Sequence, residues 1–296
     1  MRAWRVHGYG GSEVMRLEDI AIPRPGQGQV LVKVRAASVN PIDWKMRRGL
    51  LAKHFPLTFP RTLGRDCAGD ANGELIAGVA DPRTDGTHAE FALLPETQTA
   101  RVPRTLDAAA AATLCIAGLS AYIPLVEIAQ VKAGQRVLIH AGAGGVGSLA
   151  IQIAKHLGAS VTVTAGPSNR EFCLALGAER VVDYQREDFQ HEKHFDMVLD
   201  TIGGTIHLRS EQALKPGGIL VALAAAPIPV AQRRDDIRVV MAQIQPTRER
   251  LERIFRWAAD GALRPQVTRR YALQDALRAY AAVESGHGRG KLVLTT

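Results

Sequence analysis

The chain has 296 residues, 46% hydrophobic and 22% charged, with 28 glycines and 15 prolines spread without a period. This excludes disorder, collagen-like repeats and low-complexity sequence, and leads to an expectation of two domains. Basic residues outnumber acidic ones by 37 to 29, a formal charge of +8 with a pI near 9.7. They come as scattered pairs (Arg47-Arg48, Arg233-Arg234, Arg269-Arg270) without interleaved aromatics, which suits a surface tolerant of anionic ligands better than one for nucleic acid.

At the start of the chain, residues 1–7 hold no apolar core long enough for a secretory signal. Cys67, Cys115 and Cys173 form no close pair, so neither a disulfide framework nor a Cys-x-x-Cys motif is present. A reducing, cytoplasmic compartment is the expectation. Pro23, Pro25 and Gly26 precede an alternating strand at 29–36. Pro56, Pro60 and Gly64 mark a loop, Asn72-Gly73 signals a two-residue hairpin, and 87–94 reads as a short strand. Residues 108–126 carry no charge, the length of a membrane span. They are rich in alanine and contain Thr113, Ser120 and Pro124, so a buried helix at a domain junction of a soluble protein is the better reading.

From Gly134 onward strands, glycine turns and helices alternate. The pattern predicts strands at 136–141, 160–165, 180–184, 196–200, 218–224 and 237–244, with helices at 146–157, 169–176 and 247–260. Such alternation implies a doubly wound parallel sheet, an α/β fold. The last segment predicts a helix at 273–283 and a strand at 291–294 that returns to the first domain. The resulting division is 1–119 with 264–296, and 120–263.

The sharpest motif is Gly142-Ala143-Gly144-Gly145-Val146-Gly147, lying between an apolar strand and a helix. Bare glycines let the backbone approach a pyrophosphate, and the helix N-terminus offers free N–H groups to its charge. An Asp or Glu about twenty residues on would favour NAD through its ribose hydroxyls. Here the second strand ends in Thr164-Ala165-Gly166-Pro167-Ser168-Asn169-Arg170. Ser168, Asn169 and Arg170 suit the extra phosphate of NADPH, while a helix cap at Ser168 and a solvated Arg170 are the plainer alternatives.

The run from Gly134 and Gln135 through the glycine motif to Gln152 and Lys155 resembles the signature of the zinc-independent quinone oxidoreductases of the medium-chain dehydrogenase/reductase superfamily. Asn40-Pro41-Ile42-Asp43-Trp44-Lys45, Gly64-Arg65-Asp66, residues 86–90, residues 118–121 and the ending Gly290-Lys291-Leu292-Val293 extend the resemblance over nearly the full length. It implies a Rossmann domain beside a mostly β, GroES-like substrate domain, trimmed between Gly69 and Gly86, where relatives usually carry a longer stretch. It implies a homodimer and a site in the cleft between domains. It also implies cofactor contacts at Asn40, Ser120, Tyr184, Ile202, Gly203, Leu223, Ala224 and Lys291. Asn40, Asp43 and Lys45 are candidate catalytic residues, with a surface ion pair as the alternative for Asp43 and Lys45. Tyr184 as a strand-end aromatic and Lys291 as a solvated edge charge are the corresponding alternatives there.

Zinc is not expected. Asn40 stands where a cysteine ligand would, Gly64-Arg65-Asp66 where a Gly-His-Glu would, and no histidines pair at i, i+4. The implied activity is hydride transfer from NADPH to a small-molecule quinone or enone, with no nucleic-acid or membrane partner. An enoyl or alkenal reductase of the same superfamily and a non-catalytic NADPH-binding sensor are the alternatives.

Overall fold

Short apolar–polar alternations build the first part of the chain from antiparallel strands. In the computed structural model, which describes residues 1–223, 234–286 and 288–296, these are β1 (Arg2–Val6), β2 (Met15–Asp19), β3 (Gln29–Val39), β4 (Arg61–Thr62), β5 (Asp66–Ala71), β6 (Glu74–Val79), β7 (Phe91–Pro95) and β8 (Thr99–Arg101), with helices α1 (Pro41–Arg47) and α2 (Ala108–Leu114). The predicted strand at 29–36 extends to Val39, and the one at 87–94 is confined to Phe91–Pro95. Residues before it run beside β1 instead, through Ala3 paired with Ala89 and hydrogen bonds from Trp4 N to His88 O and from Glu90 N to Arg2 O. Asn72 and Gly73 both have positive φ, 51° and 80°, and close the β5–β6 hairpin with Ala71 opposite Glu74. That is the primed turn the Asn-Gly pair predicts, and it is what makes the short 70–85 segment possible.

The next elements are α3 (Ile116–Tyr122), a π-helical stretch Ile123–Ile128, β9 (Arg136–Ile139), α4 (Gly145–His156), β10 (Ser160–Ala165), α5 (Arg170–Leu176), β11 (Arg180–Asp183), β12 (Phe195–Asp200), α6 (Thr205–Ala213), β13 (Leu214–Ala222) and β14 (Arg238–Met241). The six strands pair in parallel in the order β11-β10-β9-β12-β13-β14. Val137–Ile139, Val161 and Val163 carry apolar side chains with no exposure, as central strands covered on both faces require. The order reverses between β9 and β12, and the carboxyl ends of strands at such a switch point form a crevice. The fifth strand starts at Leu214 and ends at Ala222, and the sixth is shorter than predicted. Ala224 lies outside the described residues.

The chain ends with α7 (Arg248–Ala259), β15 (Val267–Ala272), α8 (Ala276–Glu284) and β16 (Lys291–Thr295). Strands β15-β16-β3-β5-β6-β8 form one sheet with β7 on β3, and β2-β1-β4 form another. Backbone contacts divide the whole into a first unit of Met1–Ile116, Pro246–Asp260 and Pro265–Thr296, and a second of Ala117–Gln245 and Gly261–Arg264. This corrects the predicted assignment of 247–260 to the cofactor domain. Helix α7 buries Leu251, Ile254, Phe255 and Ala258, and Arg248 donates to Thr99 O (3.2 Å) and Glu96 O (2.8 Å) beside β8. An amphipathic stripe announces that a helix is covered but not by which core.

No single helix is long and apolar enough to cross a membrane among the described residues; Ala108–Leu114 and Ile116–Ile128 pass by length and composition only as a bent pair. The chain is broken at Cys115, and α2 lies buried against β3 and β5.

Candidate cofactor and active-site residues

In the second unit the glycine turn packs tightly on the sheet. Gly142 N donates to Thr164 O (2.9 Å), and a Cβ on Gly142 would lie 2.7 Å from Val163 Cβ. A Cβ on Gly147 would overlap Ala141 O and lie 2.7 Å from Gly142 Cα. The first bond of α4 runs from Ser148 N to Gly144 O, so the N–H groups of Gly145, Val146 and Gly147 have no acceptor within the helix. Gly144, Gly145 and Val146 are only partly buried, which leaves that first turn open to an anion. Beneath the turn, His140 bonds Thr164 Oγ1 (3.1 Å) and Ser210 Oγ (2.8 Å), all three fully covered.

After β10, Ser168, Asn169 and Arg170 stand on the surface turn leading into α5. Arg170 Nη1 donates to Val181 O (3.0 Å), leaving Nε and Nη2 without a partner among the described residues. Tyr184 follows β11 with 56% of its surface exposed, and its hydroxyl lies 3.7 Å from where a Cβ of Gly166 would be. Ile202 N and Gly203 N both donate to Asp200 Oδ1, at 2.9 and 2.8 Å, and Leu223 N donates to Asp200 O. Ser120 is buried on α3.

In the first unit a set of buried polar groups gathers where β3 enters α1. Asp66 is its hub. Its Oδ1 accepts from Ser38 Oγ (2.6 Å) and Asn40 Nδ2 (2.8 Å), and its Oδ2 from Ile116 N (2.9 Å). With Nδ2 thus engaged, Asn40 turns Oδ1 toward Lys291, whose Nζ donates to it at 2.5 Å and to Val39 O at 3.3 Å. Asp43, at the third position of α1, accepts from Asn40 N (2.7 Å) and fixes the helix start. Its other oxygen is buried without a partner among the described residues. His88 joins the group through Tyr280 Oη (2.8 Å) and Ser38 O (3.2 Å).

Burial sets the proton affinities here. It pushes the Asp43 carboxyl up to about 7, opposed by the Asn40 N–H bond and aided by the charge of Asp66. It lowers Lys291 against the pull of Asp66 and Asp43, and lowers Lys45 as well. It also lowers His88 and His140 to about 4 from an ordinary 6.5.

These shifts give different pH behaviour in the two units. A buried histidine stays neutral while its unfolded counterpart takes up a proton, so its stabilisation is complete above pH 6.5 and is lost toward 4. Asp43 runs the other way: the folded unit keeps a proton that the unfolded chain releases between 3.8 and 7, so its contribution grows on acidification. In urea titrations from pH 6.5 to 4.5, the second unit, with His140, is expected to lose about 1.4 kcal/mol per pH unit. The first unit, where His88 and Asp43 offset each other, is expected to stay nearly flat. Equal slopes in both would contradict these assignments.

Residues 26–72 match the family model described as alcohol dehydrogenase GroES-like domain, and residues 176–294 match that described as zinc-binding dehydrogenase. The chain is 33% identical over 318 residues to the chloroplastic NADPH-dependent alkenal/one oxidoreductase of Arabidopsis thaliana, covering 99% of this chain and 79% of that one. It is 32% identical over 318 residues to the 2-methylene-furan-3-one reductase of Solanum lycopersicum, with the same coverage. The solved structure of the quinone oxidoreductase from Coxiella burnetii matches with a TM-score of 0.93 at 34% identity, over 100% of this chain and 99% of that one. The chain belongs to the zinc-independent quinone oxidoreductase family of the medium-chain dehydrogenases/reductases.

For this family member the structure sets aside two of the alternative readings. Lys291 is no edge charge, because β16 runs between β15 and β3 and leaves it 6% exposed. Asp43 is no surface ion-pair partner, being 1% exposed and bound to the Asn40 backbone. Lys45 Nζ lies 5.7 Å from the centre of the Trp44 ring. Asn40, Asp43 and Lys291 come together although 251 residues separate the first from the last.

At the two positions where zinc ligands would stand the polar atoms are engaged with one another: Asn40 with Asp66 and Lys291, Asp66 with Ser38, Asn40 and Ile116, and Arg65 Nε with Ala80 O (3.2 Å). Among the described residues no three His, Cys, Asp or Glu side chains cluster as a metal site. Sequence reasoning quoted Asp66 and His88 within motifs without giving them a role. Their signal was a charged residue and a histidine on otherwise apolar, buried segments.

Proposed function

We propose that this chain is an NADPH-dependent reductase of quinones and related α,β-unsaturated carbonyls. The observation that carries the reading is the glycine turn at the strand-order reversal, with free helix N–H groups and no acidic side chain between the end of β10 and Glu171. The fit to a dinucleotide is sterically plausible from this chain alone, since Gly142 and Gly147 bring the turn so close to the sheet that a methyl group on either would collide. The names of the relatives in Arabidopsis and tomato support the substrate class.

Bound NADPH supplies the hydride, and a proton from the medium completes the two-electron reduction of the acceptor. The chain's own part is binding, orientation and proton storage. Gly142 to Gly147 receive the pyrophosphate, Ser168, Asn169 and Arg170 the additional phosphate, and Tyr184, Ile202, Gly203, Leu223 and Ser120 flank the nucleotide. Asn40, its amide fixed by Asp66 and Lys291, presents a single hydrogen-bonding face to the reacting end. Asp43, its carboxyl pushed up to about 7 by burial, exchanges a proton close to neutral pH beside Asp66, Arg65 and Lys291. Lys45 remains a candidate for contact with substrate. Homodimerisation and a reducing, cytoplasmic compartment go with this reading; Cys67, Cys115 and Cys173, all buried and outside any disulfide, support the compartment.

The test is loss of reduced-nicotinamide absorbance, with NADPH and NADH in parallel against a quinone and an enone. NADPH bound but not consumed with any acceptor would leave a sensor and overturn the reductase reading. Arg170→Ala is expected to weaken NADPH about tenfold, the worth of one charge-assisted hydrogen bond, and NADH much less. Equal weakening of both would remove Arg170 from the phosphate site.

A further inference from the structure

Asp200 ends β12 at the strand-order reversal and is wholly buried, as is His207, while Glu211 is 2% exposed. All three belong to one arrangement. Asp200 Oδ1 takes the backbone N–H of both Ile202 and Gly203, and its Oδ2 faces His207 Nδ1 at 2.9 Å. A carboxylate accepting two N–H groups can only accept from the ring as well, so Nδ1 carries the proton. His207 and Glu211 lie one turn apart on α6, Nε2 3.7 Å from Oε1, too far for a hydrogen bond; neither atom has another partner among the described residues.

Two further observations concern the loop itself. Thr201 Oγ1 donates to His140 O (2.9 Å), tying the loop to the end of β9 beside the glycine turn. Gly203 and Gly204 have positive φ, 79° and 60°, so the chain turns sharply as soon as the carboxylate releases it. The result holds Ile202 outward, 37% exposed, an apolar side chain at the crevice end of the sheet. Burying three ionisable side chains opposes folding unless it secures a geometry that a looser loop would lose.

We propose that Asp200 and His207 are positioning residues that clamp the Ile202–Gly203 loop in the geometry that receives the nicotinamide nucleotide. The inference rests on the NADPH reading above. His207 fixes the carboxylate, the carboxylate fixes two backbone N–H groups, and these fix the Ile202 side chain. Neither residue needs to touch the nucleotide.

The distinguishing variants are His207→Asn, whose amide N–H stands where Nδ1 does, and His207→Gln, whose amide stands near Nε2. A role in general polarity or packing would be served by both. The clamp predicts that His207→Gln weakens NADPH, followed by its fluorescence, about tenfold, as loss of one charged hydrogen bond implies, and that His207→Asn stays within about threefold of the parent. In turnover, KM for NADPH rises by more than kcat falls. Amide hydrogen exchange at Ile202 and Gly203, measured without nucleotide on the full chain, speeds up in the Gln variant and not in the Asn variant. Unchanged exchange in His207→Gln overturns the clamp whatever the nucleotide does. Faster exchange with unchanged NADPH affinity overturns its role in cofactor binding. A parent protein that fails to bind NADPH overturns the functional reading and with it that role, while the exchange data still judge the clamp.

Discussion

Asp66→Ala is expected to abolish most turnover and to destabilise the first unit by about 3–5 kcal/mol, the cost of leaving a buried charge without its partner. Asp66 is fully buried and satisfies three donors at once: Ser38 Oγ, Asn40 Nδ2 and Ile116 N. Alanine leaves Ser38 Oγ and Ile116 N without this acceptor and Asn40 Nδ2 with only its longer bonds to Ser38, at 3.3 and 3.4 Å. It also removes the carboxyl group whose charge acts most strongly on Lys291. The Asn40 amide is then held by Ser38 and Lys291 alone, and its hydrogen-bonding face is less firmly fixed. Activity of the folded fraction is expected to fall roughly a hundredfold, the scale on which a misplaced positioned donor acts. Asp66→Asn should fall between, since one oxygen is kept and the other becomes a donor facing a donor. All three tryptophans, Trp4, Trp44 and Trp257, belong to the first unit, so their fluorescence in urea isolates its unfolding. An alanine variant with an unshifted transition would show that Asp66 is not the hub.

The second large effect concerns Gly147→Ala, which is expected to weaken NADPH roughly a hundredfold or to prevent the second unit from folding, while tryptophan fluorescence of the first unit stays unchanged. Gly147 has an ordinary negative φ, so the cost is steric: its Cβ would overlap Ala141 O and crowd Gly142 Cα, both backbone atoms of the turn. Relief requires the start of α4 to move off the sheet, and the N–H groups of the first turn move with it. Gly144→Ala provides the contrast. Its Cβ would meet only Ala141 O, at 3.3 Å, so the fold should tolerate it and any loss should appear in nucleotide affinity alone. Calorimetric titration with NADPH, beside thermal unfolding by circular dichroism, separates the two. Comparable behaviour of the two variants would mean that the glycine at 147 is not required for close packing.

The second unit was largely legible in the sequence because its signals are local. A continuous apolar run, a glycine turn and an amphipathic helix repeat within about thirty residues, and steric rules on crossover connections leave one arrangement for such repeats. The helix 205–213 escaped notice because its apolar residues are few and its buried face includes His207, Ser210 and Glu211. Strand β15 escaped because Thr268, Arg269 and Arg270 are exposed and break the alternation. The ownership of α7 was hidden for the reason that holds for any amphipathic stripe: periodicity states that a face is covered and is silent on what covers it.

The site divides along the same line. By itself the sequence determined the cofactor turn and the hairpin at Asn72-Gly73, since each follows from residue type at a fixed spacing, and the family resemblance carried by its motifs supplied the candidates Asn40 and Lys291. Only the tertiary structure decided that Asp66 orients Asn40, that Lys291 is buried, and that Asp200 holds the 202–203 backbone through His207. Those outcomes depend on desolvation and on hydrogen bonds between residues far apart in the chain, and both arise only when the strands that carry them are packed together.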